Sequence, residues 1–479
     1  MSKLKQLAGE TVLYGLGSIL PRLLNFLLVP LHTINVFSRA EYGVVTKLYA
    51  FVAFINIVFM FGMETAFFRF ATKSGADTKR IFNIAQTSVL LISVPLSILF
   101  ILFSSSIADS LGVVQHPEFI TWLTLVMLTD AVVAIPFARL RLEKKALQFA
   151  SAKIISILIL LILNYYFLKI NYDPSINVGY VFLANLIANS FFVIFFSRTL
   201  LSWRPAYDKE ISPVMLRYAY PVMLTGVAGM TNEMFSRITL DWWLPDNFYN
   251  SLTKKDALGV FGACYKFAVL MNLGIQAFRY AAEPFFFSNA LDKNSPKLFA
   301  KINHYFVITC CLVLLGISIN LDILKNLIGE DFWIGLPVVP ILLVAYLFLG
   351  VYYNFSVWFK LMDKTYYGTW ITVGGASITI AANYFLIPYF GYMGSAWAAL
   401  ACYFSMTVAC YAIGQKYYPI PYKMIPSAVY LMVTVSLVHF VNKIELTNQG
   451  FATAFHSMII LLFMGIVYLL ERRKWKEET

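Results

Sequence analysis

Long apolar runs separated by short polar segments follow one another along the whole chain. A helix that crosses about 30 Å of hydrocarbon needs roughly 20 mostly apolar residues, and the sequence contains fourteen such runs. We number them spans 1 to 14, at 11–36, 41–68, 80–105, 117–139, 149–170, 176–198, 212–240, 257–287, 299–320, 334–359, 366–389, 391–416, 422–441 and 450–470. The pattern predicts an all-α integral membrane protein with about 14 transmembrane helices.

The polar segments between the spans are short. The longest, 241–256, reads DWWLPDNFYNSLTKKD and is too short for a soluble domain. The first run is interrupted by Pro21 and Arg22 and lacks a small-residue cleavage site. We therefore interpret it as a membrane span and not as a signal peptide.

Composition and charge agree with a membrane protein. The chain is 59% hydrophobic and 13% charged, against about 25% charged for an average soluble domain. Its net charge of +12 reflects an uneven distribution of basic residues between the two sides of the membrane. With the N-terminus inside, 24 basic residues fall in inner segments and six in outer ones. Because short loops rich in Lys and Arg stay cytoplasmic, we expect a multi-pass protein of the bacterial inner membrane with both termini cytoplasmic, and no nucleic-acid partner.

An internal repeat is visible when span 2 is shifted by 216 positions onto span 8. The matched pairs are Gly43/Gly259, Val44/Val260, Tyr49/Tyr265, Phe51/Phe267, Asn56/Asn272, Ala66/Ala282 and Phe70/Phe286. Such repeats are common in secondary transporters, which bind substrate between the repeats. We predict two pseudo-symmetric six-helix lobes, an N-lobe at 1–203 and a C-lobe at 204–418, followed by spans 13 and 14 and a tail at 419–479.

Charged residues inside the spans are concentrated in the first eight. Each costs about 2.5–3.5 kcal/mol at the centre of a membrane helix, so they normally face protein or a wet cavity. Helical spacing places them on polar faces of spans 1, 2, 7 and 8. The candidate substrate-binding residues on these faces are Arg22, Asn25, Asn56, Arg237, Lys266, Asn272, Gln276 and Arg279. Guanidinium groups bind phosphate oxygens bidentately, so the predicted cavity suits an anionic head group.

The intramembrane acids have two interpretations. The candidate coupling or structural acids are Glu64, Asp130, Glu233 and Glu283. Glu233 and Glu283 are each four residues from an arginine, at 237 and 279. Both could therefore form intrahelical ion pairs with a structural role only, holding the helices together. Asp130 fits either a structural acid or a proton-coupling site. We expect Lys47 to snorkel to the outer surface and Lys153 to lie at the inner interface.

No enzymatic arrangement is found in the sequence. The five histidines lie on different spans and loops, and the HExxH, G-x-S-x-G and P-loop motifs are absent. All five cysteines lie in apolar runs without metal-ligand spacing. We therefore predict no catalytic residue, no metal site and no cofactor, with coupling to H⁺ or Na⁺ left open.

Spans 1 and 2 contain three short motifs: the span 1 run R-x-x-x-F-x-x-x-P-L from Arg22, the E-Y-G start of span 2 at Glu41, and its R-F end at Arg69. Two longer stretches accompany them, GVFGACYKFAVLMNLGIQAFRYAAEPFFFS in span 8 and FGYMGSAWAALACYF before span 12. Together these stretches resemble the Wzx-type polysaccharide flippases of the MOP (MATE-like) superfamily. The resemblance implies a V-shaped cavity that opens alternately to each side. It also implies pyrophosphate contacts, which Arg22, Lys266 and Arg279 could make, and a lipid-tail groove at spans 13 and 14.

The leading hypothesis is a flippase that moves a polyprenyl-pyrophosphate-linked oligosaccharide across the inner membrane for polysaccharide or O-antigen export. The alternatives are a MATE-like cation-coupled multidrug antiporter and a membrane enzyme of polysaccharide assembly, such as a polymerase or ligase. The expected partners are the lipid-linked oligosaccharide, membrane lipids and other membrane proteins of polysaccharide assembly.

Overall fold

Helices occupy the described part of each of the fourteen predicted spans. The computed structural model describes residues 15, 17–73, 75, 77–290, 292, 294–444 and 448–478, and these residues include no strand. Residues 11–14 of span 1 and the basic residues at 3 and 5 lie outside them. The helices of spans 1 to 14 are Gly17–Ile34, Arg39–Met60 with Met63–Ala71, Thr78–Leu102, Pro117–Leu142, Ala146–Tyr165, Gly179–Phe195, Ile211–Trp243, Lys254–Ser288, Ser295–Ile319, Val338–Phe355, Tyr366–Phe390, Tyr392–Tyr417, Met424–Val441 and Gln449–Glu478.

Twelve of the helical spans are long and apolar enough to cross a membrane. The other two are spans 6 and 7. The helix of span 6 has 17 residues, and the 33-residue helix of span 7 carries four charged side chains. These are Arg217, Glu233, Arg237 and Asp241. The all-helical membrane fold is confirmed, whereas the count of fourteen spans stays a prediction.

The chain forms two compact units. Unit 1 comprises Met1–Gly262 with Thr372–Ser395, and unit 2 comprises Ala263–Ile371 with Ala396–Thr479. Unit 1 thus holds spans 1 to 7, the start of span 8 and most of span 11. Unit 2 holds the rest of span 8, spans 9 and 10, most of span 12, and spans 13 and 14. The predicted division at 203 and 418 stays a prediction.

Span 2 is two helices instead of the single one predicted. Phe61 and Gly62 both adopt left-handed backbone conformations, with φ of 50° and 68°, and this ends the hydrogen-bonded ladder. A Cβ on Gly62 would lie 2.7 Å from the carbonyl oxygen of Ala219 in span 7, so a larger residue at this position would push the two helices apart. We call Arg39–Met60 the outer half and Met63–Ala71 the inner half of span 2, after the predicted orientation.

Spans 2 and 8 cross at two glycines that the repeat matches. A Cβ on Gly43 would lie 2.2 Å from the carbonyl oxygen of Lys255, and a Cβ on Gly259 would lie 1.9 Å from that of Arg39. The shift of 216 relates both glycines and both carbonyls. The contact is therefore two-fold symmetric in the register of the sequence repeat, and side chains larger than glycine would keep the backbones apart.

The connector between spans 6 and 7 lies across the start of span 3. The indole Nε1 of Trp203 donates to the carbonyl oxygen of Asn83 at 3.4 Å, and Asp208 forms an ion pair with Arg80. The Asp208 carboxylate also accepts the backbone N–H of Ile211 at 2.9 Å. This backbone hydrogen bond, supported by Arg80, lowers the pKa of Asp208 below its ordinary value of 3.8.

A buried polar cluster joins spans 9, 13 and 14 in unit 2. The His304 ring is 1% exposed; its Nδ1 lies 3.0 Å from Ser427 Oγ and its Nε2 lies 3.3 Å from Glu471 Oε1. The Tyr430 hydroxyl donates to the same Glu471 oxygen at 2.9 Å. Because buried polar groups are costly unless they are paired, this cluster fixes spans 13 and 14 against span 9.

Candidate substrate and coupling site

Asp130, in the middle of span 4, is held by two amide side chains. Its Oδ2 accepts the Nδ2 of Asn56 from span 2 at 3.2 Å, and its Oδ1 accepts the Nδ2 of Asn189 from span 6 at 3.0 Å. The Asn56 Oδ1 atom is buried without a hydrogen-bond partner among the described residues. The ammonium of Lys153 lies 4.2 Å and 4.6 Å from two phenylalanine ring centroids nearby. Predicted residues Asn56 and Asp130 are thus brought together.

Glu64, at the start of the inner half of span 2, pairs with a residue that the sequence analysis did not single out. It forms an ion pair with Arg141 from the end of span 4, and the two side chains are about one third exposed. The Arg141 guanidinium also lies 4.9 Å from the ring centroid of Phe68. The pair ties the inner half of span 2 to span 4.

The remaining predicted residues of unit 1 lie on spans 1 and 7. Arg22 and Asn25 are exposed on the span 1 helix. Arg237 is half-buried, with its Nη1 2.6 Å from the Met234 sulfur, and Glu233 is half-buried on the same helix. These residues are placed on the spans that the sequence indicated, but their contact with substrate stays a prediction.

Lys47 does not snorkel to the surface, so that expectation was wrong. Its Nζ lies 2.7 Å from Oδ2 of Asp241, and the two side chains are 7% and 12% exposed. Asp241 belongs to the last turn of the span 7 helix, 194 residues away. Local spacing contains no sign of so distant a partner, so the pair could not be predicted from the sequence.

In unit 2, two cations share one carboxylate on span 8. Arg279 Nε lies 3.5 Å from Oε1 of Glu283, and Lys360 Nζ lies 2.6 Å from the same oxygen. The Arg279 guanidinium also lies 4.8 Å from the ring centroid of Tyr353. The predicted intrahelical pair is therefore formed, but with a second cation that leaves the group positively charged.

The other three predicted residues of span 8 lie on the same helix. Lys266 and Gln276 are half-buried, and Asn272 is 6% exposed. The Oδ1 atom of Asn272 is buried without a hydrogen-bond partner among the described residues. The predicted set is thus divided between the two units, and a cavity lined by spans 1, 2, 7 and 8 together stays a prediction.

The five cysteines are all buried thiols, in agreement with their interpretation as small hydrophobes. Among the described residues, no group of three or more His, Cys, Asp or Glu side chains could hold a metal ion.

Known proteins are similar to this chain in fold and, over residues 36–272, in sequence. A sequence model of the polysaccharide biosynthesis protein family matches residues 36–272. Among curated proteins, no sequence is significantly similar.

Solved structures match over nearly the whole length. The lipid II flippase MurJ, in an inward closed conformation, matches with a TM-score of 0.71 and 13% identity over 95% of this chain and 99% of its own. An inward-facing MATE family transporter of the MOP superfamily matches with a TM-score of 0.59 and 14% identity over 91% and 96%. The chain is a multi-pass membrane protein with the fold of the MurJ flippase and of the MATE family transporter, and its residues 36–272 match the model of the polysaccharide biosynthesis protein family.

Proposed function

We propose that the protein moves a polyprenyl-pyrophosphate-linked oligosaccharide across the bacterial inner membrane by alternating access, for polysaccharide export. The observation that carries the proposal is the shared carboxylate on span 8: Arg279 and Lys360 both contact Glu283, which neutralises only one of them. The family match to polysaccharide biosynthesis proteins supports a saccharide cargo. The fold shared with a protein named as a flippase of lipid II supports a lipid-linked one.

The geometry of this group suits a phosphate. Tyr353 stacks on the Arg279 guanidinium and leaves the guanidinium edge for hydrogen bonds, the arrangement in which arginine binds phosphate oxygens bidentately. The side chains of Arg279, Glu283 and Lys360 are 39%, 35% and 26% exposed. A pyrophosphate can therefore reach these three side chains with little rearrangement of the protein.

The test is reconstitution of the full chain in liposomes that contain a fluorescent polyprenyl-pyrophosphate oligosaccharide, with a lectin outside to report arrival at the outer leaflet. Arg279→Ala removes a charge-assisted contact worth about 1.5–3 kcal/mol, so we expect transport to fall about tenfold or more. Lys364→Ala is the matched control. That cation also lies on a tyrosine ring, 3.8 Å from the centroid of Tyr417, but shares no carboxylate with Arg279. Equal transport by both variants would contradict the proposed site.

Coupling to H⁺ or Na⁺ is proposed at Asp130. Each oxygen of the Asp130 carboxylate accepts one amide N–H, which stabilises the ionised carboxylate. Asn56 Oδ1 has no hydrogen-bond partner among the described residues. After rotation of the Asn56 amide, this oxygen can accept a hydrogen bond from the protonated carboxyl group of Asp130. We expect Asp130→Asn to transport only down its substrate gradient, with no response to an imposed proton or sodium gradient. Asn189→Asp, which adds a second acid without removing the first, should shift the pH of half-maximal coupling. A wild-type gradient response in both variants would refute this role.

The same acid favours a second candidate, a MATE-like cation-coupled multidrug antiporter. The two functions are separated by cargo: robust efflux of a cationic dye without movement of the lipid-linked oligosaccharide would establish the antiporter. The proposed setting is the inner membrane with both termini cytoplasmic, among other membrane proteins of polysaccharide assembly.

A further inference from the structure

The outward ends of spans 2, 7 and 8 are joined inside unit 1 by two different contacts. The first is the buried ion pair of Lys47 with Asp241, between spans 2 and 7. The second is the symmetric crossing of Gly43 and Gly259, between spans 2 and 8. Lys47 follows Gly43 by about one helical turn, so the two contacts are neighbours on the outer half of span 2.

The ion pair is incompletely satisfied. Asp241 Oδ1 is buried without a hydrogen-bond partner among the described residues, and Lys47 Nζ is 5.9 Å from the Trp242 ring centroid. A buried pair that lacks the hydrogen bonds needed to satisfy its oxygens contributes little net stability. Hydration of the two charged groups can therefore replace the ion pair at a low cost in free energy, as expected of a contact that breaks during the transport cycle.

The crossing lies at the same end of span 2 as the ion pair. It is made by backbone against backbone at two glycines, and beside it the Thr46 side chain of span 2 packs against Gly262 of span 8. Any movement that parts spans 2 and 8 at this end must open it.

We propose that the Lys47–Asp241 ion pair is a latch that holds the outward ends of spans 2, 7 and 8 together and breaks when the transporter opens outward. The proposal rests on the alternating access and orientation of the proposed function. It assigns to Lys47 and Asp241 a conformational role and no contact with substrate.

The experiment measures the opening directly, without substrate. Spin labels are attached to cysteines introduced at Gln115 and Asn326, exposed residues of the loops after spans 3 and 9 that are both predicted to face outward. Distances between the labels are measured by double electron–electron resonance on the full chain in nanodiscs. The native cysteines are buried, and a cysteine-free background checks that they take no label.

We expect Lys47→Gln and Asp241→Asn each to increase the ratio of long to short distances by about tenfold or more, since each leaves a buried charge without its partner. The charge swap Lys47→Asp with Asp241→Lys should return the ratio toward the wild-type value. The matched control is Lys254→Gln. Lys254 pairs with Asp246 at 2.9 Å on the same side, but Asp246 is 87% exposed, and an exposed pair contributes little. The control should leave the distances unchanged.

A variant that does not fold is replaced by Lys47→Met with Asp241→Leu, which removes the pair without leaving a buried charge. A latch predicts less of the long distance in this variant, because apolar side chains, unlike the ion pair, gain no hydration when the ends part, whereas a pair that plays no part in opening predicts the wild-type distribution. Wild-type distances in the folded variants would overturn the latch. The readout contains no cargo, so failure of the lipid-linked oligosaccharide assay would count against the proposed function and leave the latch result standing.

Discussion

The crossing of Gly43 and Gly259 makes a quantitative prediction about stability. In Gly43→Ala the new Cβ would lie 2.2 Å from the Lys255 carbonyl oxygen, whereas ordinary contacts begin at 3.4 Å. Spans 2 and 8 must therefore separate by about 1 Å, the difference between those distances. The obstacle is backbone on a helix, so no side-chain rotation relieves it. We expect the free energy of unfolding of Gly43→Ala to fall by about 1–3 kcal/mol, the usual cost of overpacking. The fall for Gly259→Ala should be at least as large.

The matched control is Gly316→Ala in span 9. Gly316 is also helical, but a Cβ there meets nothing within 4 Å. Alanine is a better helix former than glycine by about 0.5–1 kcal/mol, so this variant should be slightly more stable than the wild type. The two substitutions are chemically identical and have opposite expected signs.

The assay is thermal unfolding of purified protein in one detergent, followed by monodisperse recovery on size exclusion, with all three variants in parallel. The apparent Tm should fall for Gly43→Ala and Gly259→Ala and rise for Gly316→Ala. If the first two variants are as stable as the third, spans 2 and 8 do not approach as closely as described, and the symmetric contact is refuted.

Three further predictions concern the connector at Asp208, the buried cluster around Glu471 and the membrane topology. The hydrogen bond from Ile211 and the Arg80 charge lower the pKa of Asp208, so the stability from its carboxylate is complete above pH 3.8 and is lost as the pH falls through the lower folded value. Asp208→Asn should therefore lose Tm at pH 6 and match the wild type at strongly acidic pH; a constant difference would refute this. Tyr430→Phe should lower the free energy of unfolding by about 1.5–3 kcal/mol, because it removes a hydrogen bond to a charged group. Glu471→Leu should lower it further, because His304 then loses its carboxylate partner. Equal Tm values for both variants and the wild type would contradict the cluster. Alkaline phosphatase fused after residue 115 should be active and after residue 144 inactive, as the basic-residue bias predicts; the reverse pattern would invert the topology.

The helices and their class could be predicted from sequence because each span satisfies its own requirement locally. Twenty apolar residues specify a membrane helix wherever the rest of the chain lies. The Arg279–Glu283 pair was also within reach, because both side chains belong to one helix and are four residues apart.

The other partners could not be predicted because they are distant in sequence. Lys47 is 194 residues from Asp241, and Arg141 is 77 residues from Glu64. No periodicity within a helix records which neighbour it will meet. The break in span 2 left one local sign, Gly62, but a lone glycine in a membrane helix is common. The left-handed Phe61 beside it has no local signature, because its conformation depends on packing against span 7.

The break at Phe61 and Gly62 also determines how span 2 can transmit movement. A continuous helix of this length would act as a rigid rod, so that displacement of one end would swing the other. Here the outer half is tied to span 7 by Lys47, while the inner half is tied to span 4 by Glu64, and the ladder between them is interrupted. Loss of the Lys47 contact can therefore let the outer half tilt about Phe61 and Gly62 without swinging the inner half as part of one rigid rod. Span 2 is in this respect two helical segments joined by a hinge.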